Sequence, residues 1–404
     1  MRFCNMIVVG NLMDESTDTL EEDLAPEITD EMIEEARDLI GTEMRTNEEE
    51  LRRRCFWNTE LNLDNIRQFA WGYGDDNPLY TDREYAKGTK WGGLKAPPGF
   101  LFSVDRIAIG PKLPGVQGIY GGTRWEFERP LLEGDQFKVR AVPTKVEKKE
   151  GGRAGEFVLQ EGKVEFFDKS GKEDELICTA WGTVLRIPRP KSHGESSVSQ
   201  DRESVYWTKD ELKSIENELL NETRRGAEPR FWENVSVGDE LERRVKGPLG
   251  ITDVICWYAG CGTPLYHAHE LGVKERKRHP ADAYRREDLG FIEHPAMGHI
   301  DPEVSAGIGV PRAYDVAGQR ITWMHHPVTD WMGDDAMITE LDTKISGMNY
   351  IGEATVCTGK VTDKYINEDT QEHLVEIDLQ QTHMKDGEQI GEGSATVQLP
   401  TSSK

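Results

Sequence analysis

Residues 71–80 read WGYGDDNPLY, and residues 257–266 read WYAGCGTPLY. Trp, Gly, Pro, Leu and Tyr recur in the same order at a constant spacing of 186 (257 − 71). Before the first block, apolar residues from Ile66 to Tyr73 follow the i, i+3, i+4, i+7 spacing of one helix face. Gly and Pro then end the helical pattern in both copies. The recurrence indicates a duplicated unit.

Both copies continue into segments of alternating apolar and polar residues, which predict antiparallel strands. The first copy has FKVRAVPTKVEKK, EFVLQEGKVEFFDKSGKE and ICTAWGTVLRIP, and the second has ATVCTGKVTDKYI, HLVEIDLQQTHMKDGEQ and GEGSATVQLP. DKSGK and MKDGEQ are predicted hairpin turns. In this part Gly352 matches Gly134 at a spacing of 218 (352 − 134). The second copy therefore holds about 30 extra residues, and the charged, His-rich stretch 267–298 is the predicted insertion.

The chain divides into four parts. These are an acidic N-terminal extension (1–54), a first unit (55–190), a linker and helix (191–228) and a second unit (229–400). We expect an exposed helix from Glu31 to Ile40 in the extension and another helix from Lys209 to Leu220 after the linker. One helix against an antiparallel sheet buries one face of each, and two units joined edge to edge cover an otherwise open edge. The sequence thus predicts an α+β fold used twice.

The composition restricts the function. The 404 residues carry a formal charge of −25, which repels a phosphate backbone, so we expect no nucleic-acid partner. No run approaches the ~20 apolar residues that cross a bilayer, so we expect no membrane span. The six cysteines form no CxxC pair and are interpreted as reduced residues of a cytoplasmic protein.

The first block carries a motif that resembles a known family. Residues 74–82 read GDDNPLYTD and are followed by GGLKAPPGF at 92–100. This resembles the hydratase motif G-D-x-N-P-[LI]-H-x-D of the MaoC-like dehydratases, which are hotdog-fold enoyl-CoA hydratases. FERPLLEGDQF (127–137) and FWENVSVGDEL (231–241) resemble a strand entry and the opening of a second hotdog, so the resemblance covers everything after residue 50.

The resemblance implies a fold and an activity. The fold is a double hotdog, α+β, in which each unit is a central helix wrapped by an antiparallel sheet. The activity is reversible hydration of a 2-enoyl thioester to a 3-hydroxyacyl thioester, with acyl-CoA as the expected substrate. It implies no metal and no redox cofactor, and it is compatible with a homodimer.

Hydration needs a base for water, a proton for the α-carbon and hydrogen-bond donors for the thioester oxygen. By the resemblance Asp75 is the base and Asn77 orients the water or braces Asp75. Tyr80 stands where the motif has His, and its hydroxyl offers only a hydrogen bond at neutral pH. Asp301 follows Asp82 at a spacing of 219 (301 − 82), so we interpret His299 as the counterpart of Tyr80, in preference to Tyr266. The predicted catalytic residues are therefore Asp75, Asn77, Tyr80, His299 and Asp301.

The substrate contacts are predicted from the loop after the motif. Gly93, Pro98 and Gly99 lie in this loop, where backbone N–H groups can receive the thioester oxygen. Arg124 is a candidate for the adenosine phosphate of CoA.

Each of these residues also has a structural interpretation. Asp-x-Asn-Pro forms Asx turns, a buried Tyr packs, and His299 can pair with Asp301. Packing is at least as good an interpretation of the other polar groups, which are His325-His326 with Asp330, Cys261, and His267-x-His269 with Glu270 and His279. Two further functions stay open: a hotdog acyl-CoA thioesterase, and an acyl-CoA-binding partner subunit with a decayed catalytic pair.

Overall fold

The computed structural model describes residues 28–44, 58–111, 113, 117–150, 156–188, 203–262, 267–278 and 283–402. Most of the predicted linker, much of the acidic extension, and Thr263, Tyr266 and His279 lie outside these residues.

The chain forms both α-helices and 3₁₀ helices. The α-helices are α1 Asp30–Arg37, α2 Leu63–Gly72, α3 Pro78–Thr81, α4 Arg83–Ala86, α5 Lys209–Leu220, α6 Ile251–Cys261, α7 His269–Arg278, α8 Pro302–Gly307 and α9 Ala317–Met332. The 3₁₀ helices are η1 Pro98–Ser103, η2 Trp232–Asn234 and η3 Pro295–His299. The helix predicted at Lys209–Leu220 is confirmed.

The strands follow the predicted segments and add others. They are β1 Gln117–Phe127, β2 Phe137–Glu150, β3 Glu156–Asp168, β4 Glu175–Ile187, β5 Arg244–Lys246, β6 Tyr284–Arg285, β7 Ile292–Glu293, β8 Met337–Ile345, β9 Thr355–Ile366, β10 His373–His383 and β11 Gln389–Gln398. Both predicted hairpin turns join neighbouring antiparallel strands, β3 to β4 and β10 to β11.

One continuous sheet joins the two halves. Among the described residues nine strands pair in the order β2-β3-β4-β1-β8-β11-β10-β9-β5. The halves meet where β1 and β8 run antiparallel, from Gly122 opposite Lys344 to Glu126 opposite Glu340. The predicted edge-to-edge joint is therefore confirmed. Neither joining strand was among the predicted segments, and β1 carries three glycines, which weaken a strand signal.

The sequence predicts one helix in each unit, the motif helix, against the sheet, but a different helix lies there. Helix α9 lies against the sheet and is buried at every position from Gly318 to Met332. Helix η1 begins at Pro98 and α9 begins at Ala317, which are separated by the repeat spacing of 219 (317 − 98). The short 3₁₀ helix η1 is therefore the counterpart of α9 in the first half. The motif helix α2 instead packs against its own repeat, α6. The prediction was wrong on this point because an apolar face does not specify which surface covers it.

The repeat is real, but the alignment of its two opening blocks is corrected from a spacing of 186 to one of 188. Helices α2 and α6 follow N-cap residues Asn62 and Gly250, which have this spacing (250 − 62). Gly74 and Gly262, at the same spacing, both have left-handed φ, +83° and +59°. Trp71 is therefore not the counterpart of Trp257: the first is 55% exposed and the second 2%.

Beyond the insertion the predicted spacing of 219 holds. Asp82 and Asp301 both cap a following helix, and each accepts hydrogen bonds from the backbone two and three positions ahead. The spacing grows by 31 (219 − 188), which agrees with the predicted insertion. Within it the chain forms α7 and the β6–β7 hairpin.

The acidic extension contacts the sheet. Helix α1 buries Ile33 and Ala36 against Val146 and Val158, so only its other face is exposed, contrary to the expected exposed helix. In the part of the chain that the structure describes, no helix has the length and apolar character required to span a membrane.

Candidate functional site

The carboxylate of Asp75 lies just beyond the end of α2. Gly74 turns the chain there with a φ of +83°, which glycine adopts without strain. The Tyr73 hydroxyl donates to Asp75 Oδ2 at 2.7 Å, and the Asn77 N–H donates to Asp75 Oδ1 at 2.9 Å. Asp75 is 2% exposed. The motif therefore fixes a buried carboxylate with both oxygens hydrogen-bonded.

The second half supplies an imidazole and a second carboxylate. His326 and Asp330 lie one turn apart on α9, where residues at i and i+4 share a face. His326 Nε2 lies 3.5 Å from Asp75 Oδ2 and 3.4 Å from Asp330 Oδ2. The Tyr73 ring contacts the His326 ring edge to face at 5.4 Å. The site is thus built across the two halves.

Three basic side chains surround these groups. Arg224 lies 3.1 Å from Asp75 Oδ1 and 3.3 Å from Asp330 Oδ1. Arg244, on β5, donates to Asp330 Oδ2 at 2.7 Å. Lys246, on the same strand, has Nζ 2.6 Å from His326 Nδ1. The two arginines are paired with carboxylates, which is what stabilises buried charges.

Burial sets the protonation of several groups. Burial, and then the nearby Lys246 and Arg244, hold the pKa of His326 well below its usual value, so the imidazole is neutral at neutral pH. Burial and the neighbouring Asp75 raise the pKa of Asp330. Burial lowers the pKa of Lys246, against the opposite effect of Glu222. A neutral imidazole has one N–H donor and one acceptor nitrogen, so beside carboxylates it can pass protons to and from a bound reactant.

The predicted oxyanion donor has a partner in the structure. Gly99 N–H donates to His325 Nε2 at 3.3 Å, so the loop of the first half touches the helix of the second. A Cβ on Gly99 would lie 2.6 Å from Thr322 Oγ1, which explains glycine at this position. His325 is fully buried, and burial lowers its pKa to about 3.

The motif residues Asn77 and Tyr80 stay near Asp75. The Asn77 side chain caps α3 by accepting from Leu79 N–H, and its N–H holds Asp75. Its observed contacts are therefore those of an Asx turn that positions the carboxylate. Tyr80 is 1% exposed, and burial followed by the charge of Asp75 raises its pKa, so the hydroxyl stays protonated.

The pair His299 and Asp301 lies apart from this cluster. His299 Nδ1 is 3.1 Å from the Tyr314 carbonyl, and its ring contacts that of Tyr314 at 4.2 Å. Asp301 caps α8 and forms an ion pair with Arg286. The two side chains thus have separate partners, and neither is among the residues that surround Asp75.

The remaining predicted contacts divide between the loop and the outer surface. Gly93 is half-buried in the loop that leads to η1, and Pro98, the first residue of η1, is half-buried as well. Arg124 is exposed on β1 and lies over the Trp181 ring at 4.1 Å. Side chains alternate along a strand, so Arg124 is on the opposite face from the buried Trp125. The structure does not bring Arg124 to Asp75.

One group of side chains has the spacing of metal ligands within the described part of the chain. Ligand atoms of Asp75, His326 and Asp330 lie within 4.8 Å of one another. Arg224 and Arg244 already pair with these carboxylates and would repel a cation. The cluster fits proton transfer better than metal binding.

Helix α9 supplies site residues that the sequence does not predict as catalytic. The sequence shows His325, His326 and Asp330 as a polar cluster for which packing is at least as good an interpretation. The available signal was the i, i+4 spacing of His326 and Asp330, which places the two side chains on one face of a helix. Arg224, Arg244 and Lys246 carried no such signal.

Comparison with known proteins agrees with this fold. Residues 55–173 match the family model described as the FAS1-like dehydratase domain region. A UPF0336 protein of Streptomyces coelicolor is 31% identical over an alignment of 133 residues, and the match covers 31% of this chain and 83% of that protein.

Two solved structures resemble the whole double unit. A MaoC-like dehydratase aligns with a TM-score of 0.56 and 17% identity, over 85% of this chain and 95% of its own. A conserved hypothetical protein of Mycobacterium tuberculosis with a double hotdog fold aligns with a TM-score of 0.50 and 11% identity, over 84% of this chain and 93% of its own. The predicted fold class, an α+β double hotdog, is confirmed.

Proposed function

This chain belongs to the MaoC-like dehydratase family, and we propose that it catalyses the reversible hydration of a 2-enoyl thioester to a 3-hydroxyacyl thioester, with a CoA ester as substrate. The observation that carries the proposal is the approach of His326 to Asp75 across the two halves, at 3.5 Å. The family motif has a His at the position of Tyr80. In this chain an imidazole reaches the same carboxylate from α9 instead.

The two residues divide the chemistry of water addition. Asp75, held by Tyr73 and Asn77, accepts a proton from water as the oxygen bonds to the β-carbon. The electrons of the double bond move toward the thioester carbonyl, and the α-carbon then takes a proton from His326 Nε2. Dehydration is the reverse of these steps. Asp330 and Arg244, which form an ion pair, keep the charges beside His326 balanced.

The thioester oxygen needs hydrogen-bond donors while it carries negative charge. Gly99 N–H, at the start of η1, is the donor that we propose, and substrate replaces its contact with His325. Substrate must also displace Arg224, whose side chain joins buried Asp75 to exposed Asp76. We therefore expect Arg224 to move when substrate binds.

The test is an assay with a series of 2-enoyl-CoA substrates. Hydration removes the absorbance of the conjugated double bond without releasing thiol. We expect Asp75→Asn and His326→Asn each to lower kcat by ~10²–10⁴-fold, the usual contribution of a general acid or base. His373→Asn is the matched control, because His373 lies on β10 beside Trp232.

Other outcomes would contradict the proposal. Release of free thiol would support a thioesterase. Ligand binding without turnover would support a partner subunit. Full activity of Asp75→Asn would remove Asp75 as the base.

A further inference from the structure

We propose that Lys246 is a positioning residue that fixes the tautomer of His326 and passes it a proton during hydration. This inference rests on the function proposed above. It concerns a strand residue that neither the motif nor the spacing of the repeats identifies.

The geometry places Lys246 behind the imidazole. Lys246 ends β5, the short edge strand that pairs with β9, and is 8% exposed. Its Nζ lies 2.6 Å from His326 Nδ1, while His326 Nε2 faces the carboxylates of Asp75 and Asp330. The imidazole thus stands between an amine on one side and two carboxylates on the other.

This arrangement determines which ring nitrogen carries the proton. An ammonium group has three donors and no acceptor, so Lys246 donates to His326 Nδ1. A neutral imidazole that accepts at Nδ1 carries its proton at Nε2. That proton points toward Asp75, on the side where we propose that water and the α-carbon react.

The relay balances every proton. Water gives a proton to Asp75 and its oxygen bonds to the β-carbon, while the α-carbon takes the Nε2 proton of His326. As Nε2 loses its proton, Nδ1 accepts one from Lys246, so the ring remains neutral and no imidazolate forms. After product leaves, Asp75 returns its proton to Nε2 and Nδ1 returns its proton to Lys246, which restores the starting state.

The surroundings favour such an exchange. Burial lowers the pKa of Lys246, which brings the acidity of the ammonium closer to that of an imidazole. The charged and titratable groups that face His326 come from several elements: Lys246 and Arg244 of β5, Arg224 after α5, Tyr73 and Asp75 after α2, and His325 and Asp330 of α9.

Two substitutions separate positioning from proton supply. Lys246→Met removes both the donor and the proton, whereas Lys246→Arg keeps a donor that does not deprotonate. We expect kcat to fall at least tenfold in both variants with KM little changed. The matched control is Lys95→Met, which also removes a buried lysine but one that donates to the Ala336 carbonyl. It should keep kcat within about twofold.

The pH profile gives a second readout. In the wild type kcat should fall as the pH rises through the lowered pKa of Lys246, because the amine then has no proton to give. Lys246→Met should lose this decline. The same kcat and pH profile in Lys246→Met as in the wild type would overturn the relay.

Nitrogen NMR of the histidine rings tests the tautomer without turnover. We expect His326 to be protonated at Nε2 in the wild type and in Lys246→Arg, and to lose this preference in Lys246→Met. Protonation at Nδ1 in the wild type would overturn the inference. Absence of hydratase activity in the wild type would instead refute the proposed function, so the two failures are distinguishable.

Discussion

Helices α2 and α6 cross at two glycines, and adding one methyl group there tests how the halves are held together. A Cβ on Gly260 would lie 2.4 Å from the Gln68 carbonyl oxygen and 2.8 Å from Gly72 Cα. Both neighbours are backbone atoms, which cannot rotate away. Ordinary contact begins at 3.4 Å, so Gly260→Ala must move the helices apart by about 1 Å (3.4 − 2.4).

The expected cost follows from two opposing effects. Forcing an extra methyl into a packed interface costs about 1–3 kcal/mol, and the rigid backbone neighbours favour the upper part of this range. Alanine in place of glycine inside a helix contributes about 1 kcal/mol in return. We therefore expect Gly260→Ala to lower the free energy of unfolding by about 2 kcal/mol, measured by urea denaturation.

The same displacement should reach the site. Phe69 contacts Trp257 across the crossing at 5.4 Å and contacts Tyr73, the donor to Asp75, at 5.7 Å. We expect a reduced kcat together with the lower stability. Gly171→Ala is the control, since its Cβ would meet one atom at an ordinary 3.5 Å. A Gly260→Ala protein as stable as the wild type would refute the close crossing of the helices.

Two further predictions concern buried titratable groups. Asp330→Asn leaves the Arg244 guanidinium, 1% exposed, without its closest carboxylate, and we expect a loss of about 3 kcal/mol of stability in urea denaturation. Asp64→Asn, which breaks a more exposed ion pair, should change stability by less than about 1 kcal/mol. The pKa of His325 is about 3 in the folded protein against 6.5 for an ordinary His, so the unfolded chain binds more protons below pH 6.5. His325 should therefore lower stability by about 1.4 kcal/mol per pH unit as the pH falls from 6.5 toward 3, and a His325→Gln protein with an unchanged pH slope would contradict this.

Local signals were sufficient for much of the fold. The alternating segments became strands, the two turn sequences became hairpins, and the capping box of Thr208 begins the helix that ends at Leu220. The motif also placed Asp75 correctly after a helix end, held by the Asn77 backbone. These features depend on residues close together in the chain, so their periodicity and turn chemistry are readable from the sequence.

Only the tertiary structure decided what meets Asp75. His326 is far from Asp75 along the chain, and it arrives because β1 pairs with β8 and α9 lies against the joined sheet. The alignment of the two copies likewise follows from the residues at which their helices begin. In that alignment Phe69, and not Trp71, is the counterpart of Trp257, and the two rings are in contact. The sequence by itself determined a duplicated α+β unit with one carboxylate motif. The approach of an imidazole of the other half to that carboxylate, and of a lysine to the far side of that imidazole, was set by long-range packing, because a buried polar residue carries no local signal of its partner.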